Sequence, residues 1–201
     1  MGLYDKHNML FNNMNVTIPT DLSEITLGQL QSLTDIENSD LPTMNKQRKV
    51  VELLTELKLD EIERIRFSDL ELIYSRLLHL SKRDDRLSRF VTLEGVKYGF
   101  HPNISEITTG EFADLDTLCQ DFNTNLHLIL AILYRPVVKE LRGKYEIEKY
   151  SSNIEERALL FKRSLPANVV NGAMVFFWTL GKDYLRNTAT SLQEELQIKS
   201  K

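Results

Sequence analysis

Apolar positions follow two different periods along the chain, and the switches between them predict its elements. Val16 to Pro19 is a short β-branched stretch closed by a proline, which suits an edge strand. From Thr26 the spacing becomes helical. Thr26-Leu27-Gly28-Gln29 has the capping-box pattern, in which hydroxyl and amide side chains satisfy orphan backbone N–H groups, and Leu27, Leu30 and Leu33 follow on one stripe. Asn38 to Pro42 reads as a loop. Pro42 then opens a helix whose Val50, Leu53, Leu54 and Leu57 stand at i, i+3, i+4 and i+7. Ser68-Asp69-Leu70-Glu71 reads as a second capping box, with Leu70, Ile73, Tyr74 and Leu77 as its stripe.

At Phe90 the period falls to two. Phe90 to Leu93 and Val96 to Phe100 flank Glu94-Gly95, which predicts a β-hairpin with a tight turn. Helical spacing resumes at Thr108-Thr109-Gly110-Glu111, a third capping box. Leu126 to Tyr134 is apolar nearly all round and predicts a buried helix that Pro136 stops or kinks. Arg142 to Tyr150 reads as irregular. Asn153 to Glu156 caps a helix through Phe161, Pro166 sits in the first turn of the next, and Gly181 ends it. Leu185, Ala189, Leu192 and Leu196 then form a narrow apolar stripe.

The expected fold class is α+β and predominantly α-helical. A short N-terminal strand and the hairpin near 90–100 make a small antiparallel sheet, and Leu126 to Tyr134 and Val169 to Leu180 form the centre. Residues 1–15, polar and Asn-rich, read as a flexible N-terminal arm ahead of one helical domain over 16–201. One repeat divides that domain. Glu24-Ile25-Thr26-Leu27-Gly28-Gln29-Leu30 recurs as Glu106-Ile107-Thr108-Thr109-Gly110-Glu111-Phe112, with Leu33 matched by Leu115. Two readings stand: a common solution to turning a strand into a helix, or a duplication giving related halves 16–89 and 90–201. A spacing of 82 residues with two copies does not make a solenoid.

Composition narrows the classes. With 42 % hydrophobic and 27 % charged residues, the chain has enough apolar surface to offset ordering entropy. Its net charge is −4, with 25 basic and 29 acidic residues interspersed. The most basic groups, Lys82, Arg83, Arg86 and Arg89, then Arg135, Lys139, Arg142, Lys144 and Lys149, are diluted by acids. They read as solvated faces, so nucleic acid is not an expected partner. A single cysteine, Cys119, lies among apolar residues and reads as a small core residue in a reducing compartment. The longest apolar run, Val169 to Leu180, is too short for a bilayer, which needs about 20 residues, and the first eleven residues lack a signal-peptide core.

Candidate chemistry is sparse. Phosphate-loop, dinucleotide, zincin, nucleophile-elbow and paired C-x-x-C motifs are not found, and His7, His79, His101 and His127 are scattered. Glu106, Glu111, Asp114, Asp116 and Asp121 resemble a carboxylate cluster, yet helical spacing spreads them over several faces, and they read as a solvated face. Glu111→Ala is then expected to cost about 1 kcal/mol through its lost cap alone. No catalytic residue, cofactor or metal is expected. The candidate protein-interaction residues are Phe176, Phe177 and Trp178, where consecutive aromatics point to different sides of a helix, and Leu185, Leu192 and Leu196 on the narrow stripe.

A family resemblance adds to this. It rests on Tyr98-Gly99-Phe100-His101-Pro102-Asn103 with Glu106 to Thr117, on Ala131-Ile132-Leu133-Tyr134-Arg135-Pro136 followed by Tyr145 and Tyr150, and on Gly172-Ala173, Phe176-Phe177-Trp178 and Leu180-Gly181. With Val16-Thr17-Ile18-Pro19 and Ile25-Thr26-Leu27-Gly28-Gln29, these resemble a family of small proteins of tailed bacteriophages, crAss-like and related. The resemblance spans residues 16 to 181. It implies tail assembly or virion morphogenesis, partners among other tail or virion proteins or a second copy, and a place in the host cytoplasm during assembly or in the virion. The family pattern carries no catalytic residues. A structural virion component, such as a connector or baseplate adaptor, is the alternative. A small hydrolase or nuclease with an unrecognised carboxylate site is the third.

Overall fold

The structure is a computed structural model, and it describes residues 7–11, 14–80, 86–151 and 153–176. It opens with a hairpin of β1 (His7–Phe11) and β2 (Met14–Ile18), paired antiparallel from His7↔Ile18 to Phe11↔Met14. The N-terminal arm expected over 1–15 therefore holds a strand. Val16 and Ile18 are buried, and β2 alone would leave its ladder groups unpaired, a cost that pairing with β1 along one edge reduces.

Four helices complete the first half: α1 (Leu27–Asn38), α2 (Thr43–Leu54), the short α3 (Leu59–Ile62) and α4 (Phe67–Leu78). Pro42 opens α2 as expected, its carbonyl accepting from the Asn45 and Lys46 N–H groups. Helix α4 begins one residue before Ser68, after Arg66, without a side-chain cap, so the Ser68 box is not used. Val50, Val51 and Leu54 of α2, Leu70, Ile73 and Leu77 of α4, and Val16, Ile18 and Ile25 make one core.

The second half builds a four-stranded antiparallel sheet of order β3-β4-β5-β6 from β3 (Phe90–Leu93), β4 (Val96–Phe100), β5 (Tyr134–Leu141) and β6 (Lys144–Ile147). The expected hairpin at Glu94-Gly95 is present, with both turn residues at positive φ, 47° and 81°. The second hairpin corrects the irregular stretch expected over Arg142 to Tyr150. Arg142 and Gly143 turn at φ 50° and 79° in the same manner. It was hidden by Pro136, which lies in a central strand beside Tyr98, where proline is rare. A register shift between Val137 and Lys139 accommodates the irregularity. Pro136 does stop the preceding helix: the residue before a proline avoids the α region, and α6 (Phe122–Leu133) passes directly into β5. The N-terminal strand lies in its own two-stranded sheet rather than beside this one. The class is α+β and helix-dominated.

Helices α5 (Thr109–Leu118), α6 and α7 (Glu155–Ser164) pack with the sheet around a second core of Phe100, Tyr134, Leu130, Phe161 and Val170. Helix α7 is the one expected after Asn153, but Ile154 occupies the cap position without a side-chain cap. Residues 167–176 are helical after Pro166. The two cores meet at α1. Leu27 N–H donates to the Leu165 carbonyl (2.8 Å) and Ala167 N–H to the Ile25 carbonyl (2.7 Å), a single antiparallel bridge around Thr26 and Pro166. Leu27 packs in one core, Ile25 and Ala167 in the other. Beyond it the Gln31 amide, buried, donates to the Asn123 and Thr124 carbonyls at the start of α6 (2.5 and 3.1 Å).

Candidate functional site: two matched helix starts and a buried ion pair

The repeated heptapeptide folds twice into the same local structure. After β2, Asp21 accepts a hydrogen bond from Ser23 N–H (2.7 Å) and caps a 3-10 turn over Leu22–Glu24. After β4, Asn103 accepts one from Ser105 N–H (3.2 Å) and caps a turn over Ile104–Glu106. Thr26 then accepts from Gln29 N–H (3.2 Å) while Gln29 Oε1 accepts from Thr26 N–H (2.9 Å). Thr108 and Glu111 repeat this pair at 3.3 and 2.7 Å. Strand, capped turn, capping box and helix thus coincide residue by residue at the 82-residue spacing of Thr26 and Thr108. An Asx-capped turn leading into a Thr box satisfies the orphan donors of both helical segments in sequence.

The two copies diverge in what the third box position does with its free atoms. Gln29 donates its amide to the Leu53 carbonyl of α2 (3.0 Å). Glu111 instead turns Oε1 toward Arg135 Nη2 at 2.5 Å, with both side chains buried. His101 Nε2 lies 3.6 Å from the same oxygen. The Arg135 guanidinium sits 5.9 Å over the Tyr150 ring, whose hydroxyl donates to Asp114. Strand β5 delivers Arg135, the end of β4 delivers His101 and the first turn of α5 delivers Glu111. The cluster therefore ties the sheet to the helix.

Its electrostatics follow from burial. Desolvation works to raise the Glu111 pKa, but the two hydrogen bonds from Thr108 together with Arg135 outweigh it and hold the carboxyl below its ordinary value. Burial pushes the His101 pKa down, more than the Glu111 charge pulls it up. Burial and the Asp114 hydrogen bond raise the Tyr150 pKa. Glu111 accepts on both oxygens from fixed donors, so its lone pairs are committed to the fold.

This arrangement corrects two expectations. Glu111 and Arg135, assigned to solvated faces, are both buried. The neighbouring acids Glu106, Asp116 and Asp121 do lie exposed. A signal for Arg135 was present: a lone cation between Ile132-Leu133-Tyr134 and Pro136-Val137-Val138 has nowhere polar to go without a buried partner. Nothing in the sequence paired it with Glu111 rather than another acid. Cys119 is half-buried, and desolvation pushes its thiol up, away from nucleophilic character. His127 is half-buried, and desolvation lowers its pKa.

Of the expected interaction residues, Phe176 is half-buried, its ring edge-to-face on Phe100 at 5.4 Å. Phe177, Trp178, Leu185, Leu192 and Leu196 lie outside the described residues. Large apolar side chains stand exposed elsewhere, among them Phe112 on α5, Val138 and Leu141 on β5 and Leu159 on α7. Two recesses, of about 130 and 330 Å³, open on the first half around Glu24 and Glu56, away from the Glu111 cluster. Among the described residues no three His, Cys, Asp or Glu side chains are grouped to hold a metal ion, and no helix is long and apolar enough to cross a membrane. Comparison with family models, curated proteins and solved structures finds no match for this chain.

Proposed function

We propose that this chain is a non-catalytic bacteriophage assembly protein of the tail-assembly-chaperone kind, which binds a tail or other virion protein in the host cytoplasm. The observation that carries the reading is a contrast within α5. Glu111, the most deeply buried acid among the described residues, places both oxygens on Thr108 and Arg135, while Phe112 beside it stands 63 % exposed. Polar groups directed inward and a large aromatic directed outward suit recognition of another protein better than turnover of a small substrate. The phage context rests on the sequence resemblance over residues 16 to 181.

Affinity capture of the tagged chain from infected cells, beside mass spectrometry of purified particles, tests this. The expected result is one virion protein in stoichiometric capture and none of this chain in finished particles. Presence of the chain in particles at a fixed copy number would favour a connector or baseplate component instead.

A further inference from the structure

The matched helix starts differ in what covers them, and the covered copy shows what the open copy lacks. On α1, Leu27, Leu30 and Gln31 face α6 and α7: Leu27 is fully buried, Gln31 nearly so and Leu30 half-buried. The same positions on α5 are Thr109, Phe112 and Ala113, and all three are exposed. The glycine in the first turn makes the difference sharper. A Cβ at Gly28 would lie 2.7 Å from the Lys162 carbonyl oxygen, so the backbone at the end of α7 needs a glycine there. A Cβ at Gly110 would meet nothing closer than the Tyr150 ring at 3.5 Å. The second copy has the glycine and the outward aromatic, and among the described residues no backbone is seated on them.

We propose that this open face of α5 docks the end of a helix from the partner protein, a helix whose last turn is basic and whose chain leaves it extended. This rests on the assembly reading and names the partner chemistry for it. The occupant is argued from the covered copy. What seats on Gly28 is the last turn of α7, carrying Lys162 and Arg163, followed by the extended Leu165-Pro166-Ala167 that bonds to Ile25 and Leu27. Charge points the same way. No Lys or Arg occurs from Asn103 to Leu118, whereas Glu106 and Asp116 are exposed there. A basic helix C-terminus brings cations to that surface and is itself favoured by its own dipole. A second copy of this chain is disfavoured as the occupant, because its Leu165 and Ala167 are fully buried within its own cores.

The test uses the full chain in infected cells with a benzophenone amino acid replacing Phe112. The expected product is a photo-crosslink to one virion protein, mapped to a helix end with Lys or Arg in its last turn. Gly110→Ala should reduce both crosslinking and capture about tenfold while leaving the melting temperature unchanged or higher, since alanine favours the helix. Asp116→Lys, at an exposed position, should weaken capture similarly. A crosslink to a second copy, or to a segment without basic residues, overturns the proposed occupant. Full capture by Gly110→Ala and Asp116→Lys, with no crosslink from position 112, overturns the surface but leaves the assembly reading standing. Failure of the unmodified chain to capture any virion protein overturns both.

Discussion

Glu111 and Arg135 meet at 2.5 Å with side chains 2 % and 4 % exposed, and Glu111 also completes the capping box of α5. The two roles separate by substitution. Gln29 makes the matching cap through its amide oxygen, so Glu111→Gln should keep the cap while losing the charge and the oxygen that accepts from Arg135, where the amide NH2 would now stand. Arg135 would then be buried without a counterion, and its Nε has no hydrogen-bond partner among the described residues. The expected cost is about 3 kcal/mol in urea denaturation. That exceeds the roughly 1 kcal/mol expected for a lost cap alone. Glu111→Leu combined with Arg135→Met should recover most of the loss, because removing both charges leaves neither unpaired. A double variant as unstable as the single one would show that the pair is not the source.

The same cluster, together with His127 on α6, sets a pH dependence. His101 and His127 are both held below the ordinary histidine value of 6.5, so the folded state binds their protons less readily than the unfolded chain does. Their contribution is complete above 6.5 and is lost as pH falls toward their folded values. Glu111 is held below its ordinary 4.5, so its contribution is present above that value and is lost at still lower pH. Melting temperature should therefore be flat from about 7 to 9, decline below 6.5 and again below 4.5, and fall once more in alkali, where the unfolded chain releases the protons that burial holds on Cys119 and Tyr150. His101→Gln should shrink the first decline. A melting temperature that rises on acidification from pH 7 to 5 would contradict this.

Two glycines should be intolerant of a methyl group and one tolerant. At Gly28 the Lys162 carbonyl oxygen blocks a Cβ, and at Gly172 the Arg86 carbonyl oxygen does. Both obstacles are backbone, so neither can swing aside. Gly28→Ala and Gly172→Ala should each destabilise by about 1–3 kcal/mol despite the helix preference of alanine. Gly110→Ala, with only ordinary contact to Tyr150, should be neutral or stabilising. Thermal denaturation of the three variants side by side tests the ordering.

Local signals in this sequence carried more of the fold than of the site. The Thr26 and Thr108 boxes, the Glu94-Gly95 turn and the helix through Ile129 depend on residues near one another in the chain, and each forms where its pattern stands. The Ser68 pattern failed because Phe67 already lies within the helix, which leaves Ser68 inside the first turn. The β5–β6 hairpin was hidden by Pro136 and by the charged residues that a solvated strand pair exposes. The Glu111–Arg135 pair and the open face of α5 depend on which distant elements meet. Periodicity can mark Phe112 as apolar, but only the packing of α7 on α1 and not on α5 makes it exposed.

Phe176 and the leucine stripe beyond it should respond differently to substitution. The Phe176 ring stands edge-to-face on Phe100, which in turn packs edge-to-face on Tyr134 at 5.1 Å. An aromatic chain of this kind joins the helical stretch 167–176 to the sheet, and its loss removes both area and ring geometry. Phe176 is only half-buried, so Phe176→Ala should cost about 2 kcal/mol, less than a fully buried phenylalanine. Leu192 and Leu196 lie outside the described residues, and their spacing gives a stripe too narrow for a broad core. Leu192→Asp with Leu196→Asp should therefore weaken association with the partner or a second copy while shifting the melting temperature little. Calorimetry for stability and analytical ultracentrifugation for association separate the two effects. If the double aspartate variant unfolds and Phe176→Ala does not, the stripe belongs to the core and the aromatic to the interface.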